Sequence, residues 1–180
     1  GTVPIMAPYL INAADFVAVH NQSYVYNYDV LTGLKKGGTF LLNCTWTAEE
    51  LDANLPGQLK RYIAENDIKF YIIDAVKIAQ EIGLGGRINM IMQSAFFKLA
   101  DVIPLETAVK HLKEAVEHSY GKKGQNIGDM NNAAIDQGIN AIVAVEVPAA
   151  WANAEDSKLA AETGNEFVDQ LLIPMNRLEV

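Results

Sequence analysis

The order of elements along this sequence predicts an α/β fold: a doubly wound, mainly parallel sheet with flanking helices. Three observations carry that expectation. Short apolar runs recur at "FVAVH" (16–20), "TFLLN" (39–43) and "FYII" (70–73), continuous rather than alternating, as in strands buried on both faces. Segments of helical periodicity separate these runs, giving the strand–helix–strand–helix–strand order of parallel crossovers. Each run also ends at hydrogen-bonding residues: His20-Asn21-Gln22-Ser23, then Asn43-Cys44-Thr45-Trp46-Thr47, then Asp74.

Taken in order, the first strand is followed by Tyr24, Val25, Tyr28 and Leu31 at helical spacing. Lys35-Lys36-Gly37-Gly38 then supplies a cationic last turn and a glycine stop. After the second strand, Thr47-Ala48-Glu49-Glu50 fits a capping box, with the Thr47 hydroxyl on the third amide and Glu50 reaching back. Pro56 suits the first turn of a helix whose apolar stripe includes Leu59, Tyr62 and Ile63. The third strand stops at Asp74, and helical patterns follow over 75–82, 88–100, 105–120 and 129–143, with no strand signal in the second half.

Three strands make a thin sheet against a usual ~5 or 6, so residues 1–147 read as an incomplete α/β domain, the later part of a larger doubly wound one. After Pro148 the composition turns polar and alanine-rich. Residues 148–180 are expected to be a linker or arm, with a short helix from Glu166 to Ile173 leading toward a further domain.

Composition narrows the class. Half of the 180 residues are apolar and one fifth charged, which is globular rather than disordered. The longest apolar runs fall far short of the ~20 residues that span a bilayer, so no membrane association is expected. No basic stretch leading into an apolar one opens the chain, so a cytoplasmic location is expected. A single cysteine, Cys44, excludes an internal disulfide framework and an iron–sulfur cluster held by this chain alone. The net charge of −8 repels phosphate-rich duplexes, so nucleic acid is not an expected partner. An anionic ligand would have to use local donors against that field.

In doubly wound sheets ligands bind beyond the carboxyl ends of the strands, beside unpaired helix N–H groups. Three polar strand ends would line one crevice there. Asn21, Ser23, Asn43 and Thr45 are candidate contacts by that position, and Arg87, a fork of donors at a helix start, can clamp a phosphate or carboxylate. Each has a plainer alternative: the polar residues as helix caps, Arg87 as an exposed surface group. The excess of polar residues over what one cap needs favours the crevice. Gly83-Leu84-Gly85-Gly86-Arg87 follows a helix rather than a strand, so it reads as a helix stop and turn, not a dinucleotide loop. Cys44 reads as a small buried hydrophobe, with a nucleophilic role as the alternative. His111 and His118 fall on a helix surface, Lys122 and Lys123 at a solvated helix end, and Met90, Met92, Phe96 and Phe97 among packing residues. No spacing of metal ligands and no catalytic triad is present.

The stretches "YLINAADFVAVHNQSYVYNYDVLTGLKKGGTFLLNCTW", "LPGQLKRYIAEN", "FYIIDAVKIAQEIGLGGRINMIMQSAFFKLADVIP" and "PMNR" closely resemble the pyruvate:ferredoxin (flavodoxin) oxidoreductase family, over about Pro8 to Arg177. The resemblance implies a large homodimeric enzyme using thiamine pyrophosphate, magnesium and 4Fe–4S clusters. That enzyme converts pyruvate and coenzyme A to acetyl-CoA and CO₂ and passes electrons to ferredoxin or flavodoxin. This chain resembles its central domain, the gamma-type, coenzyme A-binding one. The resemblance further implies that the thiamine and cluster sites lie in other domains of the same polypeptide, and that this segment alone is not catalytic. Such domains open with a strand and a glycine-rich loop, whereas here Gly1-Thr2-Val3 leads into Pro4-Ile5-Met6. The resemblance thus implies that the strand and glycine-rich loop portion expected to cradle coenzyme A phosphates is absent or replaced here, in agreement with the thin sheet. Two other roles stand beside coenzyme A positioning: a non-catalytic module docking other domains or the dimer mate, and a small enzyme built on Cys44.

Overall fold

The structure, a computed structural model, describes residues 14–156 and 170–173. The chain divides into two compact units, residues 1–72 with 143–180, and residues 73–142.

The first unit is built on a sheet of five strands: β1 (Ala14–Val19), β2 (Leu34–Asn43), β3 (Lys69–Ile73), β4 (Val143–Ala144) and β5 (Gln170–Ile173). Their order is β4-β3-β2-β1-β5. β1 and β2 are parallel neighbours, with Phe16 opposite Thr39 and Val19 opposite Leu42, while β5 runs antiparallel to β1 and β4 antiparallel to β3. Side chains alternate across a strand. Val17, Val19, Phe40, Leu42, Phe70 and Ile72 therefore share one face. There they form one core with Val25, Leu51, Leu59 and Ile63 of the short helices α1 (Tyr24–Asn27) and α2 (Leu51–Asn54) and of α3 (Gly57–Glu65), and with Leu55 between α2 and α3. Phe40 and Phe70 stack with centroids 5.0 Å apart. Phe16, Ala18, Leu41 and Ile73, the intervening residues, are also buried, which is why the sequence shows continuous apolar runs.

The helix expected after β1 is the main departure. It lasts only from Tyr24 to Asn27, and Lys35-Lys36-Gly37-Gly38 lies inside β2 rather than ending a helix. Burial decides this. Val30, Leu31 and Leu34 all enter the core, and a turn at Gly33 (φ 91°) redirects the chain. Ala14 pairs with Leu34 but Phe16 with Thr39, so β2 inserts a bulge between these pairs. The glycines serve that bulge: Gly37 takes φ 79° and donates its N–H to Asn66 O at 2.7 Å. The capping box does form, with Thr47 N donating to Glu50 Oε1 at 2.9 Å and Glu50 N to Thr47 Oγ1 at 3.3 Å. α3 begins directly after Pro56 and buries Leu59 and Ile63 as its stripe requires.

The second half does contain strands, contrary to expectation. β4 occupies the end of the segment assigned to a helix over 129–143, and Gln170–Ile173, expected as the end of a helix from Glu166, is β5; residues 166–169 lie outside the described residues. The period-2 pattern of Val143, Val145 and Val147 was the available signal, but a two-residue ladder barely registers in sequence. Residues 148–156 are tied down: Trp151 is buried, its Nε1 donates to Asp52 Oδ1 at 2.8 Å, and Arg61 donates to Ala154 O at 2.8 Å and pairs with Asp156.

The second unit consists of α4 (Ala75–Ile82), α5 (Asn89–Ala100), α6 (Leu105–Tyr120) and α7 (Gln125–Asn140). Asp74 caps α4 by accepting from Lys77 N at 3.1 Å. Gly83, at φ 106°, closes it, with Leu84 N donating to Ala79 O at 2.8 Å. Leu112, Val116 and Ile135 form a core flanked by Met90, Phe97, Val109, Tyr120 and Ile139. α7 begins earlier than the sequence suggested because Gly124 (φ 112°) supplies its entry turn. α5 and α7 pass so close at Gly138 that an added Cβ would overlap Ser94 Oγ and the Ile91 carbonyl oxygen.

Candidate functional site at the ends of the first two strands

A parallel pair of strands delivers its two carboxyl ends to the same side, and hydrogen bonds join the loops that leave β1 and β2. Asn43 is 5% exposed and its Nδ2 donates to His20 O at 2.9 Å. Gln22 Oε1 accepts from Thr45 N at 2.8 Å and from Thr45 Oγ1 at 3.3 Å. Asn21 Oδ1 accepts from Ser23 N at 3.0 Å and Ser23 Oγ at 2.8 Å. The change from apolar to polar residues after Val19 follows from this. Where backbone leaves a sheet ladder its polar groups need new partners, and here Asn43 and Gln22 reach across to supply them.

The structure thus brings together Asn21, Ser23, Asn43 and Thr45, four of the five candidates. Asn21, Ser23 and Thr45 are exposed, whereas Asn43 is a buried brace. Ser23 stands at the N-cap position of α1 with helical backbone angles and makes no side-chain cap bond, so the turn is held by Asn21 instead. Gln22, the brace between loops, was not among the candidates. The surplus of polar residues beyond one cap was the signal that pointed to it. The fifth candidate, Arg87, belongs to the second unit; it is exposed and its Nε donates to Leu84 O at 3.1 Å. Asp74 also belongs to that unit and acts as the cap of α4.

Half-buried aromatic residues adjoin these loops in sequence. Tyr26 and Trp46 meet edge to face at 6.1 Å, and Tyr24 and Tyr28 at 5.8 Å. Tyr26 donates its hydroxyl to Asn54 O at 2.6 Å, and burial pushes its pKa above the ordinary tyrosine value. Tyr62 donates to Leu34 O at 2.6 Å; its pKa is raised by burial first and by the charge of Asp29 second.

Cys44 is buried, and its thiol donates to Trp46 O at 3.8 Å, the behaviour of a packing residue. His111 and His118 are exposed on α6, and Lys123 lies over the Tyr120 ring at 5.8 Å. Among the described residues no three His, Cys, Asp or Glu side chains are grouped to hold a metal, and no helix is long and apolar enough to cross a membrane.

Parallel strands carrying hydrogen-bonded polar loops at their carboxyl ends define an α/β domain. The family model described as "Pyruvate ferredoxin/flavodoxin oxidoreductase" matches residues 1–141, and the chain belongs to that family. It is 59% identical over 179 residues to a pyruvate-flavodoxin oxidoreductase of Enterobacter agglomerans, covering 99% of this chain and 15% of that protein. A pyruvate:ferredoxin oxidoreductase of Moorella thermoacetica is 53% identical over 180 residues, with the same coverages. The chain therefore spans about 15% of the length of these relatives. Among solved structures, the pyruvate oxidoreductase subunit PORC of Thermotoga maritima shares the fold. Its TM-score is 0.59 at 20% identity, over 76% of this chain and 68% of that one.

Proposed function

We propose that this chain is the coenzyme A-positioning domain of a larger thiamine-dependent oxidoreductase. That enzyme converts pyruvate, coenzyme A and oxidised ferredoxin or flavodoxin to acetyl-CoA, CO₂ and the reduced carrier. Family membership and the small share of the relatives' length support the larger enzyme. The observation that carries the positioning role is the convergence of the β1 and β2 loops, laced through Asn43–His20 and Gln22–Thr45. The domain performs no bond chemistry in this reading. It holds a thiol substrate where a reactive intermediate can meet it, and such placement lowers the barrier by supplying orientation in advance.

The residues present fit part of coenzyme A well. Exposed Asn21, Ser23 and Thr45 are neutral donors and acceptors, suited to the amides and hydroxyl of the pantetheine arm rather than to its phosphates. Asn43 acts by fixing the His20 carbonyl. Arg87, in the second unit, is a phosphate-binding candidate on its own chemistry as a fork of donors. Thiamine pyrophosphate, magnesium and iron–sulfur clusters are held by other domains of the same polypeptide, with a homodimer mate, in the cytoplasm.

The test uses the full-length enzyme. Asn21→Ala and Thr45→Ala each remove one neutral hydrogen bond, so KM for coenzyme A rises about 2- to 10-fold, with KM for pyruvate unchanged. Arg87→Ala removes a charged contact and raises it about 10-fold or more. An unaltered KM for coenzyme A in all three variants rejects these assignments. The docking-module alternative calls for a broad exposed apolar patch, whereas Val76 and Val143 are the large hydrophobics exposed among the described residues.

A further inference from the structure

At the far edge of the sheet from β5, β4 presents a different kind of surface. Val145 N donates to Phe70 O at 2.9 Å, and Val143 pairs with Ile72 and Ala144 with Tyr71. In an antiparallel ladder alternate residues turn their main-chain groups to opposite sides. Val143 and Val145 therefore face β3, and the N–H and C=O of Ala144 face outward, where the described sheet ends. Val143 is also 47% exposed. Unpaired edges of this kind are templates for another strand.

Beside that edge lies a groove of about 480 Å³ lined by Ala48, Glu49, Asp52, Ala144, Glu146 and Trp151, among others. Three carboxylates border it. Lys60 partly offsets one of them, donating to Asp52 O at 2.9 Å and Oδ1 at 3.4 Å, which leaves Glu49 and Glu146 exposed. The groove therefore favours a cationic visitor. A second copy of this chain, at net charge −8, is the wrong sign, while the relatives carry about 85% of their length outside the matched region.

We propose that the β4 edge and its acidic groove dock an extended, lysine- or arginine-bearing segment from another domain of the same polypeptide. The segment adds a strand by pairing with the Ala144 main chain and sets its cations against Glu49 and Glu146. This rests on the reading of the chain as one domain of a larger enzyme, and it concerns a surface separate from the β1–β2 loops.

The experiment places a benzophenone amino acid at Val143 in the full-length enzyme, irradiates it and maps the crosslinked peptides by mass spectrometry. The expected result is one lysine- or arginine-bearing segment of the same polypeptide outside these 180 residues. Joint Glu49→Arg and Glu146→Arg replacement should cut the yield about fivefold or more. In the unmodified enzyme, which needs no variant to fold, the Ala144 amide should exchange slowly with solvent. Crosslinks confined to these residues, to the dimer mate or to a separate protein, a yield indifferent to charge reversal, or fast exchange at Ala144 would each overturn the proposal. KM for coenzyme A, measured on the same samples, reports on the β1–β2 loops independently, so the two readings fail separately.

Discussion

Two glycines of α7 should respond to the same substitution with opposite signs. An added Cβ at Gly128 meets nothing within 4 Å, whereas at Gly138 it overlaps Ser94 Oγ and the Ile91 carbonyl oxygen, with the Ile91 carbonyl carbon at 3.1 Å. Alanine in a helix interior is favoured over glycine by about 0.8–1.0 kcal/mol, so Gly128→Ala should stabilise the protein by up to that amount. Gly138→Ala earns the same propensity gain but forces α5 and α7 apart. Ser94 can rotate; the Ile91 carbonyl is main chain and cannot. Overpacking of this kind costs about 1–3 kcal/mol, so the net change is a loss of up to about 2 kcal/mol. Urea unfolding of the two variants beside wild type measures both, with midpoints moving in opposite directions. Equal stabilisation by both substitutions would refute the close approach of α5 and α7 at Gly138.

Two further outcomes concern the first unit. Asn43→Ala strips the His20 carbonyl of a buried donor and should lower stability by about 1–3 kcal/mol, read as a reduced denaturation midpoint, while Asn21→Ala, at an exposed site, should cost less than half as much. Tyr26 titrates higher in the folded protein than in the unfolded chain because burial disfavours its phenolate. Its contribution is complete below the ordinary tyrosine value near pH 10 and is lost as pH rises through the folded value. Tyr26→Phe should accordingly flatten the alkaline limb of the stability–pH curve, and an unchanged limb would contradict the burial of that hydroxyl.

The neutral polar residues at the sheet end fit the proposed coenzyme-positioning role. A loop that must hold a flexible ligand gains from being rigid before the ligand arrives. Gln22 bridging to Thr45, and Asn43 holding His20, provide that rigidity without adding charge. In a chain of net charge −8, further carboxylates at the loops would oppose an anionic ligand.

Sequence alone determined the parallel α/β class, the capping box at Thr47 and Glu50, the helix stop at Gly83 and the polar strand ends. Each follows from local chemistry: burial on two faces, a reciprocal cap, a residue without Cβ, and backbone groups in need of partners. Tertiary structure alone decided the fate of Lys35–Gly38, because burial of Val30, Leu31 and Leu34 overrode a helical spacing. It likewise decided the strand identity of β4 and β5, which exist only through their neighbours β3 and β1. The division of labour at the loops was equally out of reach. Asn21, Gln22 and Asn43 offer similar amides, and only the geometry across two strands makes one a turn, one a bridge and one a buried brace.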